Sequence, residues 1–322
     1  MKYISILFFF ILLASCQNVE KQKTLKLAHG LDPLHPVHKG MVFMAEKLKE
    51  KSDGKLTMTI YPSGQLGSEQ QCVELLQIGS LAITKVSAAV LESFTDNFQV
   101  LGMPYIFRSK EHAFHVLDGP IGQELLLSTE PYKIRGLCFY DAGARSFYTL
   151  NKTIQTPDDL KGMKIRVMQS QTAMSFVKAM GGSPTPISWG ELYTALQSGV
   201  VDGAENNPPS FYTSRHYEVC KEYSINEHTM VPDVVIISTV VWNRLSAQEK
   251  KWLQEAANES VTAQRKFWEE SVKESLEIVK EAGVNVTYPD KEPFAEKVQD
   301  LLESYKTNPE LYDLINRIRK TE

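Results

Sequence analysis

Cysteine is scarce: four occur in 322 residues, and none forms a CxxC pair. Beyond Cys16, the three at Cys72, Cys138 and Cys220 are odd in number and far apart, which excludes a disulfide framework and leaves at most one bridge open. Cys72 falls in an apolar helical pattern and Cys138 in a strand-like run, where a thiol serves as a small buried hydrophobe. The signatures GxGxxG, GxxxxGK, GxSxG and HExxH are all missing. No nucleotide-binding turn, nucleophile elbow or zincin helix is therefore encoded, and no cofactor is called for. An excess of one charge is missing too: 35 Lys+Arg stand against 39 Asp+Glu, a net −4. That excludes a broad electrostatic grip on nucleic acid or anionic lipid. Any anion must be caught by a few local groups. What is present is ordinary, with 43% hydrophobic and 23% charged residues, and excludes wholesale disorder. The length suggests about two domains.

The apolar run Ile4 to Ala14, broken only by Ser5 and preceded by Lys2, is too short to span a bilayer, which takes ~20 residues. It has the proportions of a secretory signal. Leu13-Ala14-Ser15-Cys16 resembles the bacterial lipobox, in which the Cys is lipidated and becomes the new N-terminus. The alternative is an ordinary signal with a coincidental Cys. The expectation is a signal peptide over 1–15, lipidation at Cys16, and a polar tether over 16–23. The protein would then be periplasmic and held at the membrane only through its lipid. Cleavage removes Lys2 alone among the charges.

From Leu25 the chain alternates strand and helix. Leu25 to Ala28 reads as a strand, and Pro36 to Glu50 as a helix with Val37, Met41, Met44, Ala45 and Leu48 at helical spacing, closed by Gly54. Lys55 to Tyr61 alternates like a half-buried strand. Ser68-x-x-Gln71 has the form of a capping box, and Gly79 ends that helix. Leu81 to Val86 is the next strand. The same grammar repeats: strand Phe147–Leu150, a Pro157 helix start, strand Lys164–Met168, helix Thr172–Met180, a helix from Ser188 through Leu196, and a strand at Val200-Val201. Val234 to Val241 is a continuous apolar run that suits a buried parallel strand. Ser246-Ala247-Gln248-Glu249 caps a helix that continues to Gly283, about 36 residues or ~54 Å. A helix that long outruns one small domain and is expected to cross two. Two α/β lobes joined by it predict a clam with a binding cleft between them.

Several segments together are specific. They are Tyr61-Pro62-Ser63-Gly64-Gln65-Leu66-Gly67, Asp158 to Val167, Gly181-Gly182-Ser183-Pro184-Thr185-Pro186, Glu191 to Gln197, and Val201-Asp202-Gly203-Ala204-Glu205-Asn206. In their order from about residue 24 to 290, they resemble the solute-binding proteins of tripartite ATP-independent periplasmic (TRAP) transporters, the DctP type. The resemblance implies an α/β two-lobed periplasmic binding protein fold with a hinge, an interdomain cleft and one long helix spanning both lobes. Lobe I is expected over 24–142 plus about 232–270, and lobe II over 143–231 plus about 271–322.

The resemblance implies that Arg166 anchors a substrate carboxylate, and a guanidinium fork suits that task. Arg145 would assist it directly or through water, or else serve as a structural salt bridge at the crossover. Asn206 would orient the carboxylate or a neighbouring hydroxyl, although Asn206-Asn207-Pro208 leaves open which Asn faces the ligand. Trp189 matches an aromatic position against the ligand, where a ring face suits C–H surfaces. In lobe I, His29, Glu69 and Ser87 match cleft positions, and Asp233 precedes the apolar strand; each could equally be structural. The pairs His35/His38 and His112/His115 have a spacing that could place two imidazoles together. No further ligand cluster accompanies them, so no metal is expected.

A carboxylate clamp with polar lobe-I partners, and the stretch Val201 to Val219, point to the sugar-acid branch. The expected ligand is a hexuronate, glucuronate or galacturonate, passed by lobe closure to a TRAP membrane permease, with no enzymatic step. A ligand-sensing lipoprotein and an exported sugar-acid enzyme are the alternatives.

Overall fold

The structure is a computed structural model that describes residues 22–322. The signal, the lipobox with Cys16 and most of the tether lie outside the described residues.

The chain opens with β1 (Lys23–Ala28), α1 (Pro36–Lys51), β2 (Leu56–Tyr61), α2 (Glu69–Gln77) and β3 (Ile83–Ser87). Each boundary has a local cause. His35 caps α1 through its ring nitrogen, with Pro36 at the first helical position. Ser68 and Gln71 form the reciprocal capping box of α2. Helices α3 (Lys110–Asp118) and α4 (Pro120–Ser128) lead to β4 (Ile134–Tyr140). The chain then crosses to β5 (Arg145–Thr149), β6 (Lys164–Val167), α5 (Gln171–Ala179), β7 (Ser183–Pro186), α6 (Leu192–Gln197), β8 (Gly203–Asn206), α7 (Pro208–Thr213) and β9 (Glu222–Thr229). It returns as β10 (Asp233–Ser238), and α8 (Ala247–Glu281) then spans the molecule to β11 (Asn285–Thr287) before α9 (Pro309–Lys320).

Two mixed sheets result, in the orders β2-β1-β3-β10-β4 and β11-β9-β5-β8-β6-β7. Each is the centre of one lobe. The lobe-I sheet is covered on one face by α1 and the first half of α8, with Met41, Met44, Leu48, Leu253 and Ala257 in one cluster. In lobe II, Phe147, Ile165, Val167 and Phe176 pack together on one side, and Tyr148, Ala204, Phe211 and Val279 on the other. Val279 lies at the far end of α8, so this helix contributes to both lobes.

The crossovers between lobes are short, 141–144 and 230–232, and α8 locks the first. Gln264 accepts from the Asp141 N–H at 2.9 Å and donates to the Asp141 carbonyl at 2.8 Å. Gly143 adopts φ +56°, and a Cβ there would come within 2.8 Å of the Trp268 indole nitrogen. Glycine is required at that crossing for both reasons.

The observed elements depart from the sequence reading in several places; the apolar run read as one strand to Val241 ends as a strand at Ser238 and continues as a helical turn over Thr239–Trp242. β10 runs antiparallel to both neighbours, β3 and β4. A continuous apolar run reports burial on both faces and carries no information on direction. The strand expected at Val200-Val201 is instead Gly203–Asn206; Val200 is exposed, and the pairing of β8 with β5 and β6 begins at Gly203. The assignment of 271–322 to lobe II fails for the last helix. Leu311, Leu314, Ile315 and Ile318 of α9 pack in the lobe-I cluster with Phe98, Leu117 and Leu125, and Arg108 caps its end by donating to the carbonyls of Arg319 and Thr321. An amphipathic helix states that it must pack and leaves open on which lobe.

Candidate functional site

The strand ends of both sheets meet at the crossovers around a cavity of ≈ 340 Å³, the size of a small-molecule site. Arg145, Arg166, Trp189 and Asn206 line it from lobe II, and Glu69, Ser87 and Asp233 from lobe I. His29 is brought elsewhere. It is 2% exposed, its Nδ1 accepts from the Leu31 N–H, and its Nε2 donates to His38 Nδ1 at 3.0 Å. Burial, with Lys85 and His38 nearby, pushes its pKa down to about 2. It is a neutral support beneath the cavity wall.

Arg166 reaches the cavity by strand alternation. Ile165 and Val167 enter the Phe147–Phe176 cluster, so the residue between them emerges on the opposite face of β6. Its side chain is buried and its Nε donates to the Ile187 carbonyl at 2.8 Å. Nη1 is buried without a hydrogen-bond partner, and no described carboxylate pairs with the guanidinium. Burial lowers its pKa, which the more distant Tyr148 and Glu205 only partly oppose. Its guanidinium carbon stands 6.0 Å from the centroid of the Trp189 ring.

Arg145 is buried in the opposite electrostatic condition. It donates to Glu205 Oε2 at 2.5 Å, to Glu205 Oε1 at 2.9 Å and to the Glu205 carbonyl at 2.7 Å. Burial opposes both charges, but the pair wins: Arg145 is held above its usual pKa and Glu205 is pushed down to about 2. The remaining Arg145 nitrogen donates to Asn206 Oδ1 at 2.8 Å. With that oxygen also accepting from Asn207, the Asn206 amide is turned so that its NH₂ is free for the cavity. Asn207 is engaged structurally: its Oδ1 caps α7 through Ser210 N–H, and its Nδ2 donates to the Ala142 carbonyl. The two asparagines are thus distinguished.

The lobe-I wall centres on a residue that sequence reading passed over. Lys85, 2% exposed, donates to Glu69 Oε1 at 2.8 Å and Asp233 Oδ1 at 3.1 Å. Burial acts against its charge, but the two carboxylates outweigh it and raise its pKa. Burial lifts Asp233 to about 6, with Lys85 pulling down and Glu69 pushing up. Glu69 Oε2 accepts from the Ser87 N–H at 3.1 Å, while the Ser87 hydroxyl has no hydrogen-bond partner among the described residues. Lys85 was legible as a single charge inside the apolar run Leu81–Val86, because a buried charge demands partners. Gln169, also lining the cavity, gave no such signal.

Contacts across the cleft hold the lobes together. His35 Nε2 donates to Ser210 Oγ at 3.1 Å. Glu92 of lobe I accepts from Ser170 Oγ at 2.9 Å and Thr172 N–H at 3.1 Å, at the start of α5. Trp189 of lobe II lies 3.5 Å from where a Cβ on Gly30 would stand. The histidine pairs weighed for metal have other work: His112 donates to the Ile318 carbonyl and His115 contacts the Glu322 carbonyl.

Two α/β lobes closed over a cavity of this size define a two-lobed binding protein for a small molecule. Residues 27–308 match the family described as bacterial extracellular solute-binding protein, family 7, DctP. The chain is 37% identical over 297 residues to the protein YiiZ of Salmonella typhimurium, covering 92% of this chain and 90% of that one. It is 31% identical over 300 residues to the sialic acid-binding periplasmic protein SiaP of Vibrio cholerae, 92% of each. A TRAP periplasmic solute-binding protein from Xanthobacter autotrophicus, solved with β-D-galacturonate, superposes with TM-score 0.89 at 38% identity, over 92% of this chain and 100% of that one. One from Anaerococcus prevotii with bound D-glucuronate gives 0.91 at 38%, over 93% and 98%. The chain belongs to the DctP family: it is an extracytoplasmic solute-binding protein of TRAP transporters, and not an enzyme.

Proposed function

We propose that this protein captures a hexuronate, glucuronate or galacturonate, and delivers it to the membrane subunits of a TRAP permease. The observation that carries the reading is Arg166, a buried guanidinium whose Nη1 has no partner among the described residues. A buried cation is stable only when paired and hydrogen-bonded, and a carboxylate matches its fork in two charge-assisted bonds. Arg145 is neutralised by Glu205 and supports the carboxylate by fixing the Asn206 amide. The Trp189 ring offers a face to the sugar C–H surface. Glu69, Ser87 and Asp233 supply lobe-I polar groups for hydroxyls. Relatives solved with galacturonate and glucuronate at 38% identity support this choice of acid.

Capture begins on the open clam and ends with closure. The ligand drives closure by binding the closed state more tightly than the open one. Lipidation of Cys16 would keep the carrier beside its permease. The test is a thermal-shift panel on the mature chain lacking Cys16. It would contain hexuronates, aldonates, dicarboxylates, sialic acid and neutral hexoses. A ligand at 100 times its Kd stabilises by ~2.7 kcal/mol. A shift with glucuronate or galacturonate and none with glucose supports the reading; a shift only with a dicarboxylate discards the ligand.

A further inference from the structure

We infer that the Lys85–Glu69–Asp233 cluster is a charge filter that admits a hydroxyl-bearing end of the ligand and rejects a second carboxylate. This rests on the reading above that Arg166 takes the first carboxylate. The cavity then has two ends of different character. At the lobe-II end stands Arg166, without a counter-ion among the described residues, beside an Arg145 already neutralised by Glu205. At the lobe-I end there is also a cation, and a cation there would ordinarily invite a diacid. Lys85, however, is held by Glu69 at 2.8 Å and by Asp233 at 3.1 Å, so two acids surround one base and the cluster carries one net negative charge.

Its hydrogen-bonding capacity has the same bias. An ammonium has three donors, and two of them are taken by Glu69 and Asp233. The third is left for the cavity, which Lys85 itself lines. Asp233 accepts at Oδ1 and has Oδ2 unengaged. One open donor beside one open carboxylate oxygen suits a hydroxyl, which accepts from the first and donates to the second. A carboxylate can only accept, so it would satisfy Lys85 while facing the Asp233 and Glu69 oxygens at close range in a buried site. The Ser87 hydroxyl lies on the same wall, and Ser87 pairs in register with Asp233. It extends the hydroxyl-compatible surface.

The experiment compares the wild-type protein with D-galacturonate, D-galactonate and galactarate by isothermal titration calorimetry. Galactonate and galactarate are both open-chain acids that differ at one end, CH₂OH against carboxylate. The filter predicts galactonate binding roughly 100-fold or more tighter than galactarate, a ratio worth ~2.7 kcal/mol. In Asp233→Asn and Glu69→Gln the ratio should narrow at least tenfold, with far-ultraviolet circular dichroism reporting the fold. Equal affinity for the two open-chain acids in wild type, or tighter galactarate, overturns the filter while leaving hexuronate capture standing. Rejection of both open-chain acids with galacturonate bound assigns selection to ring shape and also overturns it. Failure of all three, together with no thermal shift from glucuronate in the panel above, overturns the hexuronate reading and the filter with it. The wild-type ratio decides the matter even where a variant fails to fold.

Discussion

Taking a guanidinium out of water without a counter-ion is destabilising by several kcal/mol, and Arg145 and Arg166 show the two ways a protein can meet that cost. Arg145 is compensated internally by Glu205. Replacing Glu205 with Gln leaves the buried Arg145 unpaired and is expected to cost about 3–5 kcal/mol in urea unfolding. A loss below 1 kcal/mol would mean the pair is not what holds this crossover. Arg166 has no carboxylate partner among the described residues. Arg166→Met is therefore expected to raise the unfolding midpoint without added ligand, because a buried charge is exchanged for an apolar side chain. It should abolish the thermal shift with hexuronate. A variant that keeps the shift would remove Arg166 from the anchor role. Both arginines were legible in the sequence as candidates, but their division of labour was not, since it depends on which side chain Glu205 reaches.

Among elements, α8 is the one whose extent could be read most directly. The capping box at Ser246 and Glu249 and the stop at Gly283 bound a 35-residue helix, and the apolar stripe between them is continuous. Ser246→Ala is expected to cost about 1 kcal/mol of stability, as loss of an N-cap does, measured by chemical denaturation. The crossover it packs against is more demanding. Gly143→Ala places a methyl against Trp268 in a positive-φ conformation, and a loss of about 1–3 kcal/mol is expected. An unchanged melting curve would show that the Trp268 contact yields freely. Strand direction is where reading by element failed. β10 is buried and apolar like a parallel strand, yet it lies antiparallel between β3 and β4, because the chain re-enters lobe I at the cleft, where Asp233 pairs with Ser87 and Tyr140 at the ends of those strands.

At the scale of the whole molecule, Glu92 ties one lobe to the other. Burial raises its pKa to about 7, even though it accepts from Ser170 and Thr172 across the cleft. A carboxyl whose folded pKa exceeds its unfolded value stabilises in its protonated form. That contribution is complete below the unfolded pKa of about 4.3 and is lost as pH rises through about 7. Between pH 5 and pH 8 the wild type should therefore lose stability relative to Glu92→Gln, by a difference on the order of 1–3 kcal/mol. Urea unfolding of both proteins at the two pH values measures it. Parallel behaviour would show that Glu92 is already ionised at pH 5 in the folded protein.

Local rules carried far in this chain. Capping boxes, helix stops and apolar periodicity place most of the elements they indicate within a residue or two, because those signals act through neighbours in sequence. The motif residues Arg166, Asn206, Trp189 and Glu69 came into view through the family resemblance of the short segments that carry them, and not through periodicity or capping. The tertiary structure alone decided that His29 lies beneath the cavity wall and not on it, that Asn207 caps a helix while Asn206 offers its amide, and that α9 returns to lobe I. It also set Lys85 between Glu69 and Asp233, residues 16 and 148 positions away. Burial and pairing of charge arise between segments far apart in the chain, so a one-dimensional pattern can demand a partner for Lys85 but cannot say which residue supplies it.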